Sequence, residues 1–235
     1  NAVTAIPSST PSIASMMTGL YAHSHGLRFI HRQKLNSKVV TLAEILKSHG
    51  YKTMGYDLDS IGDGIEKGFD EFSLLRWRAV NKAKRTIKKL FYRDYQLQRA
   101  EDSTSFLKKQ LKRHKSKKFF LYVHYDDLHW PYNPPKPFDE MFDPNYNGKH
   151  LFNDWDNKIS RGDMIFNNPL PKEEIHHAIA HYDGLIRFVD SQIGVLMEYL
   201  EETGLKDKTL VIITADHGES LGEHNLHFQH SLCLY

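Results

Sequence analysis

The feature that most constrains this chain is a long helix feeding a short apolar strand that ends in acids and histidines. Between Glu173 and Thr203, Ile186, Val189, Ile193, Leu196 and Leu200 recur at three- and four-residue steps, the stripe of a one-faced helix. Beyond Gly204 comes Leu210-Val211-Ile212-Ile213, a short β-branched run expected to form a buried strand of a parallel-type sheet. It runs through Thr214-Ala215 into Asp216-His217-Gly218-Glu219, with Gly222-Glu223-His224, His227 and His230 close behind. In open α/β sheets, ligands sit outside the carboxyl ends of the strands. Asp216 and His217 would there offer an oxygen and an imidazole nitrogen to one divalent metal. The plainer reading is an Asp-His-Gly turn with exposed polar side chains.

A second segment, near the N-terminus, answers this cluster. In Ser8-Ser9-Thr10-Pro11-Ser12-Ile13-Ala14-Ser15-Met16-Met17-Thr18-Gly19, Pro11 fits the first turn of a helix capped by a hydroxyl residue. Gly19 is expected to stop that helix. A serine at a helix start faces backbone N–H groups able to hold an anion. Ser9 or Thr10 is therefore either a cap or a nucleophile. Further along, the pattern predicts a helix near 41–48, a strand near 52–56, a long helical stretch over 74–118 and a strand from Phe119 to Tyr125. His129 follows that strand, where it is placed to protonate a leaving group or bond an ester oxygen. A loop rich in Pro, Asn, Asp and Gly spans about 130–171; its composition marks turns rather than core, and such long loops are commonly functional.

Composition narrows the class. A chain of 235 residues with 40% hydrophobic residues and a net charge of +2 fits one substantial α/β domain. That small net charge argues against a dedicated nucleic-acid protein. Sixteen Lys or Arg residues nonetheless lie between Arg76 and Lys118. They read as a solvated helix with one packed face; the alternative is a surface touching acidic lipid headgroups or a polyanionic substrate. No apolar run is long enough to span a membrane. Cys233 is the single cysteine, so no disulfide framework is expected, which fits a reducing, cytoplasmic setting.

Together the segments resemble the sulfatase family of the alkaline phosphatase superfamily. The resemblance rests on Ser9-x-Pro11-Ser12 with Thr18-Gly19-x-Tyr21-x-His23-x-His25-Gly26, on Thr41 to Thr53, and on Gly68-Phe69-Asp70-Glu71-Phe72. It extends through Phe119 to Tyr132, through Tyr182 to Gly194, and to the 209–219 stretch. It implies an alkaline-phosphatase-like α/β/α sandwich with a mainly parallel mixed sheet, one catalytic domain over 1–235 that continues beyond both ends. It also implies one divalent metal, calcium by resemblance, with manganese, zinc or magnesium as alternatives. Asp216 and His217 would bind that metal together with aspartates of a strand upstream of Asn1. Ser9 would be the nucleophile, with His129 and His230 acting on the substrate. Thr10 is the fallback nucleophile, Ser12 contacts substrate or ligands, and Glu219 and His224 orient the ligands.

The departures from the family pattern define a divergent member. Ile13 stands where formylglycine-bearing members carry Arg, and Cys233 is far from Ser9, so no formylglycine is expected. Gly55-Tyr56-Asp57-Leu58-Asp59 stands where a Lys and a His belong, and Asp216-His217 replaces Asp-Asn as in phosphoester- and phosphonate-cleaving relatives. The implied activity is hydrolysis of a small-molecule, glycan or lipid sulfate ester. Phosphodiester or phosphonate hydrolysis, or phosphoryl transfer, is the alternative, and a catalytically silent anion-binding protein is a third reading.

Overall fold

The computed structural model describes residues 3–29, 33–57, 64–74, 100–148, 171–223 and 226–230. Its centre is a three-stranded parallel sheet in the order β2-β1-β3, where β1 is Lys52–Asp57, β2 is Glu71–Leu74 and β3 is Phe119–Val123. The register pairs Lys52 with Phe119 and Tyr56 with Val123, so both strands end together. Successive side chains on a strand point to opposite faces, and β3 uses both. Phe120 and Tyr122 pack on a cluster of Ile13, Ala14, Met17, Leu27, Leu35 and Ile65. Phe119 and Leu121 pack on Leu111, Leu200 and Leu205. The sheet is therefore covered by helices on both faces, the three-layer arrangement expected of an α/β chain.

The first face carries α1 (Ser9–Thr18), the short α2 (Ala22–His25) and α3 (Leu42–Ser48). The second carries α4 (Ala100–His114) and α5 (Lys172–Glu202), which pack against each other. Thr41 and Glu44 close a reciprocal capping box at the start of α3, satisfying two otherwise orphaned donors. Gly55 faces the α1 layer, and a Cβ there would lie 2.4 Å from the Phe72 ring. That contact is why the middle of β1 carries no side chain. A salt-bridged turn fixes the start of β1. The Asp70 carboxylate accepts from the Thr53 backbone N–H at 3.1 Å and meets Lys47 Nζ at 2.8 Å. Its hydrogen bond to Lys47 is the chief reason its pKa falls from 3.8 to about 2.

Three sequence expectations need correction. Pro11 lies in the first turn of α1, as its third residue, but the N-cap position belongs to Ser8, not to Ser9 or Thr10, and no side-chain capping bond is made there. Proline is tolerated there because the first-turn N–H groups have no helical partner. The Gly-Phe-Asp turn continues directly into β2, a strand that the turn residues concealed. The third concerns Leu210–Ile213, which forms no strand and pairs with none among the described residues. Leu210 is 85% and Ile212 76% exposed. An apolar run signals burial on both faces only if a neighbouring strand supplies the ladder, and none of the described strands pairs with it. The 30-residue-plus helix was read within a residue or two of its observed ends. Of the basic stretch over 74–118, residues 75–99 lie outside the described residues, as do 149–170 of the loop over 130–171. No helix among the described residues is long and apolar enough to cross a membrane.

Candidate active site

The site lies at the carboxyl ends of β1, β3 and the 209–215 segment, where the first residues of α1 meet the Asp216-His217 turn. Ser9 is the first residue of α1, and its Oγ lies 3.0 Å from His217 Nε2. His217 Nδ1 donates to the Gly218 carbonyl at 2.8 Å. That bond puts the ring proton on Nδ1 and leaves the Nε2 lone pair aimed at Ser9. Asp216 is pinned from two directions through its backbone. Thr4 Oγ1 donates to its carbonyl at 2.7 Å, and Ser12 Oγ, itself 3.0 Å from Thr4 Oγ1, donates to the same oxygen. Asp216 Oδ1 accepts from the His217 N–H at 3.0 Å.

The other carboxylate oxygen is the informative one. Asp216 Oδ2 is buried and accepts no hydrogen bond from the described residues, although His217 Nε2 stands 3.4 Å away. A buried carboxylate oxygen without a donor is costly. An oxygen and an imidazole lone pair side by side are the donor types that a divalent cation takes. These two residues fit a cation. No set of three His, Cys, Asp or Glu forms a ready-made cage among the described residues.

Two further histidines, His230 and His129, gather beside this pair. The His230 ring stacks on His217 at 4.3 Å between centroids, and its Nδ1 lies 3.1 Å from Glu219. Tyr132 reaches the same Glu219, its hydroxyl held well above its ordinary range by burial and then by that charge. His129 meets His230 edge-on at 5.5 Å and donates from Nδ1 to the Trp130 carbonyl at 2.8 Å. Thr10 is buried beside Ser9 and makes no hydrogen bond to the Asp216-His217 pair among the described residues. His224 lies outside the described residues. His25 belongs to the scaffold. It is fully buried, lies 3.1 Å from Ser15 Oγ and accepts from the Leu27 N–H, and burial lowers its pKa. Ile13, at the position of the family's Arg, is fully buried in the α1 core cluster.

Sequence reasoning missed a buried charge cluster behind this surface. His124 follows β3 directly, and its Nδ1 lies 3.2 Å from Asp57 Oδ2, at the end of β1. Its Nε2 is 4.0 Å from Asp216 Oδ2. Burial pushes His124 down, but Asp57, Asp126 and Asp216 outweigh it and raise its pKa to about 9. Burial raises Asp126 against the pull of His124 and His129. The Tyr122 hydroxyl, bonded to Asp57, is pushed up first by burial and then by the charges of Asp57 and Asp216. The available signal was positional. Asp57 and His124 are polar residues at the ends of two apolar strands, where open α/β sheets place their ligand sites.

Fold and site define a three-layer α/β protein with a serine hydroxyl at a helix start, facing an Asp-His pair at a sheet's carboxyl edge. The chain belongs to the sulfatase family: the Sulfatase family model matches residues 1–233. It is 33% identical over 129 residues to an arylsulfatase of Clostridium perfringens, covering 53% of this chain and 26% of that protein. An ulvan-active sulfatase of Formosa agariphila is 26% identical over 96% of this chain and 44% of its own length. Among solved structures, a phosphonate monoester hydrolase from Silicibacter pomeroyi superposes with a TM-score of 0.64 at 26% identity, over 93% of this chain and 55% of that one. The chain thus spans less than half of these curated relatives and about half of the solved structure.

Proposed function

We propose that this chain forms the nucleophile-bearing part of a metal-dependent hydrolase of sulfate esters, with Ser9 as the nucleophile. The observation that carries the reading is the Ser9 hydroxyl 3.0 Å from His217 Nε2, beside the unsatisfied Asp216 Oδ2. Asp216 and His217 would hold one divalent cation, which when bound lowers the hydroxyl pKa and offsets charge on the transferring group. Ser9, its proton passed to solvent, attacks sulfur in line, and the bond from sulfur to the ester oxygen breaks. The backbone N–H groups at the start of α1 face the oxygens of the transferring group. The departing oxygen takes a proton from His129 or His230. Both imidazoles are held at Nδ1, by the Trp130 carbonyl and by Glu219, which leaves Nε2 to exchange the proton. Water then cleaves the serine ester and restores the hydroxyl.

A specific observation favours phosphodiester or phosphonate substrates as the second reading. Ile13 is buried in the core where formylglycine-bearing relatives carry Arg, and a solved relative is a phosphonate monoester hydrolase. The ulvan-active and aryl sulfatases favour a sulfated glycan or aryl sulfate. The test is a paired assay of aryl sulfate, aryl phosphate monoester and aryl phosphodiester, with Ca, Mg, Mn and Zn supplied singly to the full-length gene product. Sulfate release as the fastest reaction supports the first reading, and phosphodiester release the second. No turnover despite bound metal would leave the silent anion-binding reading.

A further inference from the structure

The ends of β1 and β3 and the turn after residues 209–215 each bring one ionisable residue to the same spot. Asp57 closes β1, His124 follows β3, and Asp216 follows residues 209–215. The register makes the first two neighbours: Tyr56 pairs with Val123, and the His124 N–H donates to the Tyr56 carbonyl at 3.1 Å. Side-chain alternation then sends Thr53, Gly55 and Asp57 of β1 to the same face as Phe120 and Tyr122 of β3, the face that α1 covers. Asp57 is fully buried, and His124 is only 17% exposed. The imidazole spans the gap, with Nδ1 at 3.2 Å from Asp57 and Nε2 turned toward Asp216 Oδ2 at 4.0 Å.

A bare carboxylate is a poor way to hold its own orientation. Asp216 Oδ1 is tied to the His217 N–H, whereas Oδ2 accepts no hydrogen bond from the described residues and has His217 Nε2 at 3.4 Å on one side and His124 Nε2 at 4.0 Å behind it. Groups that touch a ligating carboxylate commonly set its orientation and with it the metal affinity. Here the group behind Asp216 is His124, and the group behind His124 is Asp57, which sits close to where the family pattern calls for a lysine and a histidine.

We infer that Asp57 and His124 form a positioning pair that holds the Asp216 carboxylate in its cation-binding orientation. The inference rests on the metal-dependent reading above. Asp57 clamps one edge of the imidazole, and the opposite edge fixes the line along which Asp216 Oδ2 points. The departure at Asp57 then has a structural counterpart in His124: an acid at the end of β1 and an imidazole at the end of β3 make one unit. Neither residue contacts substrate in this account.

The test is calorimetric titration of Mn2+ and of Ca2+ into the chelator-treated full-length protein, comparing wild type with His124→Gln and Asp57→Asn. Both variants keep side-chain volume, and metal-free melting curves would establish that each folds. A ligand-orienting partner is worth roughly 10–100-fold in metal affinity. The expected result is a loss of that size for His124→Gln and a loss in the same direction for Asp57→Asn. Saturating metal should then restore kcat to within a few-fold. Wild-type metal affinity in a folded His124→Gln or Asp57→Asn protein would overturn the pairing. So would a kcat that stays low at saturating metal. Failure of the wild type itself to bind either cation would instead sink the metal-dependent reading and remove the ground of this inference with it.

Discussion

Asp70→Asn isolates one electrostatic contact that sets the geometry leading into the site. In the native protein, the Asp70 carboxylate receives the Thr53 N–H at 3.1 Å and Lys47 Nζ at 2.8 Å, with Lys52 Nζ at 3.8 Å. These partners, Lys47 first, lower its pKa from 3.8 to about 2. At about 1.4 kcal/mol per pH unit, that drop corresponds to about 2.5 kcal/mol. The side chain is 24% exposed, and solvent screening of a partly exposed pair leaves about 1–2 kcal/mol. A lowered carboxylate pKa gives stability that is complete above the unfolded value and lost as pH falls through the folded one. Denaturant unfolding of wild type and Asp70→Asn should therefore differ by about 1–2 kcal/mol at pH 7. The gap should close between pH 4 and pH 2, because Asn does not titrate. A gap of the same size at pH 7 and pH 2 would refute the charge argument and point to lost packing. No gap at pH 7 would show that the three partners contribute nothing net.

Other perturbations test the scaffold and the site. Gly55→Ala puts a methyl group 2.4 Å from the Phe72 ring; overpacking of this kind costs about 1–3 kcal/mol, measured as a fall in the denaturant midpoint. Thr41→Ala removes the capping box of α3 and the bond from Thr41 Oγ1 to the Lys67 carbonyl. Its expected cost is about 1–2 kcal/mol, and Thr41→Ser should recover most of it. Treatment of the full-length protein with a chelator should abolish ester cleavage, and re-addition of a single divalent cation should restore it. Activity that survives exhaustive chelation would contradict metal dependence.

Much of the sheet was legible because its strands carry their own punctuation. Lys52–Asp57 lies between the Gly50 turn and the Gly-Phe-Asp turn, and Phe119–Val123 follows a lysine-rich helix end. The long helix announced itself through its stripe. Leu210–Ile213 misled for a physical reason: composition reports what a segment would bury, not whether a neighbour is present to bury it. The helix start was one turn's detail away, because a hydroxyl residue two before proline looks like a cap whether or not its side chain bonds the backbone. At the site, the Ser9 contact with His217 and the Ser12 contact with Asp216 join residues over 200 positions apart. Motif order could suggest that meeting, but only the fold brings the atoms within 3.0 Å. The Asp57–His124 pair was harder to read for a different reason. Asp57 marks a departure from the family pattern and His124 a strand end, but only the register of two parallel strands brings them together.

The most direct test of the central claim is to look for the ester on Ser9 itself. Full-length protein loaded with its preferred cation would be mixed with a fast aryl ester, quenched in acid within the first turnovers, digested and weighed by mass spectrometry, with Ser9→Ala alongside. The account predicts a peptide carrying Ser9 that is heavier by one sulfuryl or phosphoryl group, and neither adduct nor turnover in Ser9→Ala. Turnover by Ser9→Ala at the wild-type rate, or an adduct on Thr10 instead, would contradict it.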